Sequence, residues 1–117
     1  MKSVLVVTAA VLLTIATAGY ASAQDAKAKG EKVYADQKCS MCHSIAGKGN
    51  VKGPLDDVGK KLSADEIREW IVDPAAATAK AKAQRKPAMT SVAAKLKALP
   101  KDDVDALVGY LSSLKGK

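Results

Sequence analysis

The sequence predicts an all-α fold, built from short helices around a single five-residue cluster. Three observations carry this reading. Apolar residues recur at three- and four-residue spacing around residues 30–34, 67–71 and 104–114, the period of a helix with one buried face. Ser63-Ala64-Asp65-Glu66 has the form of a capping box, in which the first and last side chains satisfy each other's backbone amides at a helix start. Little of the chain alternates apolar and polar residues as a half-buried strand would.

The cluster is Cys39-Ser40-Met41-Cys42-His43, which holds both cysteines and the single histidine of the 117 residues. Cysteines three apart fall on one face of a helical turn, and a histidine directly after the second can reach an object held by both sulfurs. A haem fits: two thiols add to its two vinyl groups and the imidazole becomes the proximal iron ligand. Three other readings compete. A redox dithiol expects a βαβ setting that is lacking here. Structural zinc needs four ligands, and two cysteines with one histidine give three. A plain disulfide or a chance occurrence remains, although such a run of scarce residues is rare in a chain of this size.

In chain order, residues 1–23 read as a secretory leader. A positive start at Lys2, an apolar run from Val4 to Ala18 and the Ala21-Ser22-Ala23 cleavage pattern place the mature domain at residues 24–117. The rival is an uncleaved anchor, since the uncharged stretch approaches the roughly 20 residues that span a bilayer. Cleavage removes one lysine and no acid, taking the formal charge from +7 to +6. The mature chain keeps only Tyr34, Trp70 and Tyr110 as aromatics, with no phenylalanine. A domain this small buries only about 65% of its unfolded surface, so a flat apolar cofactor supplies missing core and the haem-free chain is expected to fold poorly.

The first helix is expected over Ala26–Gln37. The glycine-rich stretch Gly47 to Leu55 lacks both the GK[ST] signature and the preceding strand of a phosphate loop. The second helix starts at the capping box, with Leu62 and Ile67 as a hydrophobic staple, and Asp73-Pro74 closes it. Trp70 lies at helical spacing with Ile67 and Ile71, which favours core packing. Pro74–Ala83 is alanine-rich with little to bury and suits a short surface helix or turn. Pro87 then forces an extended approach to Met89.

Met89 is the candidate second iron ligand by elimination. Met1 leaves with the leader, Met41 lies inside the attachment turn too close to His43 to reach the opposite haem face, and no second histidine exists. A thioether suits low-spin haem iron. A methionine filling a core gap is the competing reading. Val92, Leu96 and Leu99 share a face, as do Val104, Leu107, Val108, Leu111 and Leu114 of a terminal helix whose start carries Asp102, Asp103 and Asp105.

With Gly30, Tyr34, Gly53-Pro54-Leu55 and Lys86-Pro87-Ala88-Met89, the pentapeptide resembles the small monohaem bacterial cytochromes c with His/Met ligation, over about Gly30 to Leu114. The resemblance implies a small cytochrome c fold, its helices packed around one covalently bound haem c attached outside the cytoplasm. It implies that Gly30 and Tyr34 meet Gly109-Tyr110 where the first and last helices cross, Tyr34 packing on the haem edge being the alternative. Pro54 would offer its carbonyl to the free nitrogen of His43, and Leu55 would lie on the haem face. A family tryptophan gives Trp70 a second role, donating its indole N–H to a haem propionate. Lys86 to Met89 matches the family's K-P-x-M. Two departures stand out: Leu55 follows Pro54 directly where the family has G-P-x-L, and Pro100 occupies a position where a capping Ser or Thr is usual.

The basic balance raises nucleic acid as a partner, but the export signal, the few aromatics and the dispersed lysines argue against it. Lys38, Lys48 and Lys52 flank the attachment and proline loops, and Lys80, Lys82, Arg85, Lys86, Lys95 and Lys97 flank Met89. They are expected to steer a monomeric periplasmic carrier, with no lasting membrane insertion after cleavage, onto redox donor and acceptor proteins with acidic docking surfaces. Solubilising lysines are the plainer account of part of this set. A haem enzyme or gas sensor with an open sixth position and a non-haem dithiol oxidoreductase are the alternatives to a carrier.

Overall fold

A computed structural model describes residues 18–116, with side chains from residue 24. Residues 1–17, most of the expected leader, lie outside the described residues. Helices dominate, with one small hairpin. Among the described residues no helix is long and apolar enough to cross a membrane.

Helix α1 spans Ala18–Asp36, beginning upstream of the expected Ala26 and continuing through the expected cleavage position. Alanine and lysine are good helix formers, and Lys27–Glu31 (3.9 Å) and Lys32–Asp36 (2.5 Å) add i,i+4 pairs. Lys38, at φ 56°, then turns the chain into a 3-10 helix, Cys39–Met41. Strands β1 (Ser44–Ile45) and β2 (Lys48–Gly49) follow, joined through Ala46 and Gly47, both at positive φ as a tight hairpin turn requires. After α2 (Val58–Lys61) comes α3 (Ala64–Val72), where the capping box forms as expected: Ser63 Oγ accepts from Glu66 N at 3.2 Å and Glu66 Oε1 from Ser63 N at 3.1 Å.

Asp73-Pro74 ends α3 and starts α4 (Pro74–Ala81), with Asp73 Oδ1 accepting from Ala76 N at 3.2 Å and Pro74 in the first turn. This helix buries more than its composition suggests, since Pro74 and Ala77 pack inward. Met89–Val92 is a second 3-10 helix, leading to α5 (Ala93–Lys97) and then α6 (Lys101–Ser112), which starts after Pro100 without a side-chain cap.

Helices α1 and α6 cross as the resemblance implies, with Tyr110 in its expected place and one partner, Gly109, exchanged for Ala106. Gly30 packs on Ala106 and Tyr110, where a Cβ would collide with the Ala106 carbonyl, whereas Gly109 is exposed and touches nothing. Three residues separate Ala106 from Gly109, nearly one turn, and the facing small residue is the alanine. Tyr34 meets Tyr110 edge-to-face, ring centroids 6.2 Å apart. Val33, Ile67, Ile71, Leu96, Val104, Leu107, Val108, Tyr110 and Leu111 form the core. Leu114, expected on the apolar face of the last helix, lies beyond its end, half-buried, with its carbonyl accepting from Gly59 N at 2.8 Å.

Candidate functional site

The attachment turn is built by backbone bonds converging on one carbonyl. Cys42 N and His43 N both donate to Cys39 O, at 3.1 and 2.9 Å. In a 3-10 turn residues i and i+3 eclipse, so Cys39 and Cys42 share a face. Both line one cavity, while Met41 between them is 70% exposed. Met41 is not among the residues that line that cavity.

The following loop holds the histidine. Asn50 N donates to the carbonyls of Ser40 and His43, both at 3.0 Å, and Ser44 N donates to Gly53 O at 3.0 Å. This folds residues 49–53 back over the turn and brings Gly53 O to 3.0 Å from His43 Nδ1. A carbonyl only accepts, so Nδ1 carries the proton and Nε2 keeps its lone pair. The acceptor is therefore Gly53 rather than the expected Pro54. Pro54 is exposed and bridges Ser44 in parallel, and with Leu55 directly after it the carbonyl that faces the ring comes one residue earlier. Burial pushes the His43 pKa below its ordinary value; the Gly53 bond opposes this and the Arg85 charge adds to it. The result favours a neutral imidazole, the form that ligates metals.

The cavity has a volume of about 340 Å³. Cys39, Cys42 and His43 line it together with Met89, and so do Tyr34, Leu55 and Trp70. Leu62, Ile67, Ile71, Leu96, Leu107 and Leu111 make most of the remaining wall apolar. Trp70 is half-buried in that wall and stands outside the hydrophobic core, which corrects the core-packing expectation. Two thiols, an imidazole with one nitrogen free and a thioether in an apolar cleft are a donor set suited to a covalently held haem. Gln37 Oε1, buried without a hydrogen-bond partner, belongs to a residue of the same lining. Burial also pushes the Cys39 thiol up, against the opposing charge of Lys95.

Three of the expected steering cations are engaged within the molecule. Lys80 pairs with Glu69 at 2.6 Å, Lys95 donates to Gln37 O and Arg85 donates to Cys42 O. Lys38, Lys48, Lys52, Lys82, Lys86 and Lys97 are exposed and form no ion pair among the described residues. The acids are segregated: all twelve lie outside residues 37–55 and 74–101, the two stretches that carry the thiols, His43 and Met89.

The family model for cytochrome c matches residues 27–115. No curated protein and no solved structure matches the chain significantly.

Proposed function

The chain belongs to the cytochrome c family, and from that premise we propose that it is an exported one-electron carrier whose haem iron is held between His43 and Met89. Membership carries the coarser statements: haem c is bound covalently through Cys39 and Cys42, and the protein serves haem-based electron transfer with redox partner proteins. The haem, when bound, supplies the one-electron couple. The chain does the rest. Cys39 and Cys42 anchor from one face of a tight turn, and Gly53 holds the His43 tautomer that leaves Nε2 free to ligate. Met89 brings a soft thioether into the same cavity, and the leucine and isoleucine wall excludes water.

The observation that carries the reading is the joint lining of one apolar cavity by His43, Met89 and both thiols. A methionine on the iron closes the position an enzyme or gas sensor keeps open, which favours a carrier. The leader pattern of residues 1–23 supports export to the periplasm as a mature domain of residues 24–117. The exposed lysines, on stretches without a single acid, support brief encounters with partners that present acidic surfaces.

The test is ligand exchange. Wild-type protein should show the sulfur-to-iron charge-transfer band when oxidised and resist carbon monoxide when reduced. Met89→Ala should lose the band and bind carbon monoxide, and Met89→His should stay six-coordinate with a lower potential. Equal carbon monoxide binding by wild type and Met89→Ala removes Met89 from the iron and favours the open-site alternative.

A further inference from the structure

One side chain ties the segment that carries Met89 to the turn that carries His43. Among the described residues, the other hydrogen bonds of the stretch 84–91 outside helix interiors are local: Gln84 Nε2 to Lys82 O at 3.5 Å, Ser91 N and Oγ to Ala88 O at 3.0 and 2.7 Å, and Ala93 N to Thr90 O. The exception is Arg85, whose Nη2 donates to the carbonyl of Cys42, 43 residues earlier in sequence. That carbonyl belongs to the last residue of the attachment turn before His43 and receives no backbone donor among the described residues. The same guanidinium packs against Gly53, where any Cβ would collide with Nη1, and Gly53 O is the group that holds His43 Nδ1. A planar fork can lie along a glycine and reach past it to a carbonyl, whereas a lysine presents a point charge with no flat face.

We propose that Arg85 is a positioning residue that latches the Met89 segment onto the His43 turn and so keeps the distal ligand in place. This rests on Met89 as the iron ligand. Arg85 lies four residues before Met89 and lines the same cavity, so releasing its guanidinium frees the chain on the N-terminal side of the methionine. On the other side Met89 begins the 3-10 helix Met89–Val92, where Met89 and Val92 pack against the core, and α5 follows with Leu96 buried in it. Without the latch, the open state becomes more populated while the core is untouched.

External imidazole at pH 8, where it is mostly neutral, reports that population in the oxidised haem-loaded protein, because apparent affinity scales with the open fraction. An exposed hydrogen bond of ordinary strength predicts that Arg85→Gln tightens imidazole binding roughly fivefold. The denaturant midpoint of the far-ultraviolet signal should stay near wild type. In a Met89→Ala background, where no ligand remains to be displaced, Arg85→Gln should have no effect. Wild-type affinity in Arg85→Gln overturns the latch, and so does equal tightening in both backgrounds, which would mark an effect on imidazole entry or iron charge instead. Failure of the underlying ligation is separately visible, since Met89→Ala alone would then bind imidazole no better than wild type.

Discussion

The same substitution at two glycines should change stability in opposite directions. At Gly30 the added Cβ meets the Ala106 carbonyl and the Tyr110 Cβ, neither of which can rotate away, so α1 and α6 must separate. Overpacking of this kind costs about 1–3 kcal/mol, and the rigid backbone wall argues for the upper end. Against it stands the helix-propensity gain of alanine over glycine, about 1 kcal/mol. The net is a loss of about 2 kcal/mol, a large share of the 5–15 kcal/mol typical of a domain and worth roughly 8–16 °C in Tm at this size. Gly109 lies in α6, exposed, with nothing near its Cβ position, so Gly109→Ala keeps the propensity gain and should raise Tm by about 4 °C. Both are measured by thermal melts of the haem-loaded protein followed in the far ultraviolet. Gly30→Ala melting at or above wild type would refute the close crossing of the two helices.

Two further outcomes follow from the surface and from the core. Oxidation by an anionic redox partner should slow steeply from low to physiological salt, where the Debye length falls to about 8 Å, and Lys48→Glu or Lys86→Glu should slow it at low salt; a flat profile leaves those lysines with solubility alone. Burial pushes Tyr34 up to about 12, with smaller contributions from Cys39 and Tyr110, and burial also raises Tyr110. The fold thus favours the neutral phenols, so the contribution of Tyr34 to stability is complete below about pH 10 and is lost as pH rises through about 12, with Tyr110 adding in the same direction. Phenolate absorbance in protein beginning at Gln24, which lacks Tyr20, checks this; a tyrosine ionising near 10 in the folded state contradicts it.

The parts of the fold that were legible in the sequence are those written in local contacts. Ser63 and Glu66 find each other three residues apart, and the apolar spacing of Val104 to Leu111 marks the buried face of α6 without reference to any other element. The cysteine spacing likewise places both thiols on one turn. What escaped depends on register or distance. The hairpin of Ser44–Ile45 with Lys48–Gly49 has strands too short to show alternation, and Ala46 occupies a positive-φ position where Asn or Asp would have signalled the turn. Helix α2 is one turn long, below the length at which a period can be read. Gly53 replaces Pro54 as the His43 acceptor because a one-residue difference in the loop changes which carbonyl faces the ring. Arg85 carries no motif, and only the folded chain brings it to Cys42.

The stretches that carry Cys39, His43 and Met89 hold basic residues and no acid, so wherever they gather on one face they give the molecule a dipole as well as a net charge. A net charge only pulls a carrier toward an oppositely charged surface; a dipole also exerts a torque, turning the molecule while it is still a Debye length away. Docking two specific patches ordinarily costs several decades of association rate because most collisions arrive in the wrong orientation. On the proposed carrier function, a positive pole at the stretches that carry Cys39, His43 and Met89 would bias rotational search near an acidic partner toward presenting the redox site first.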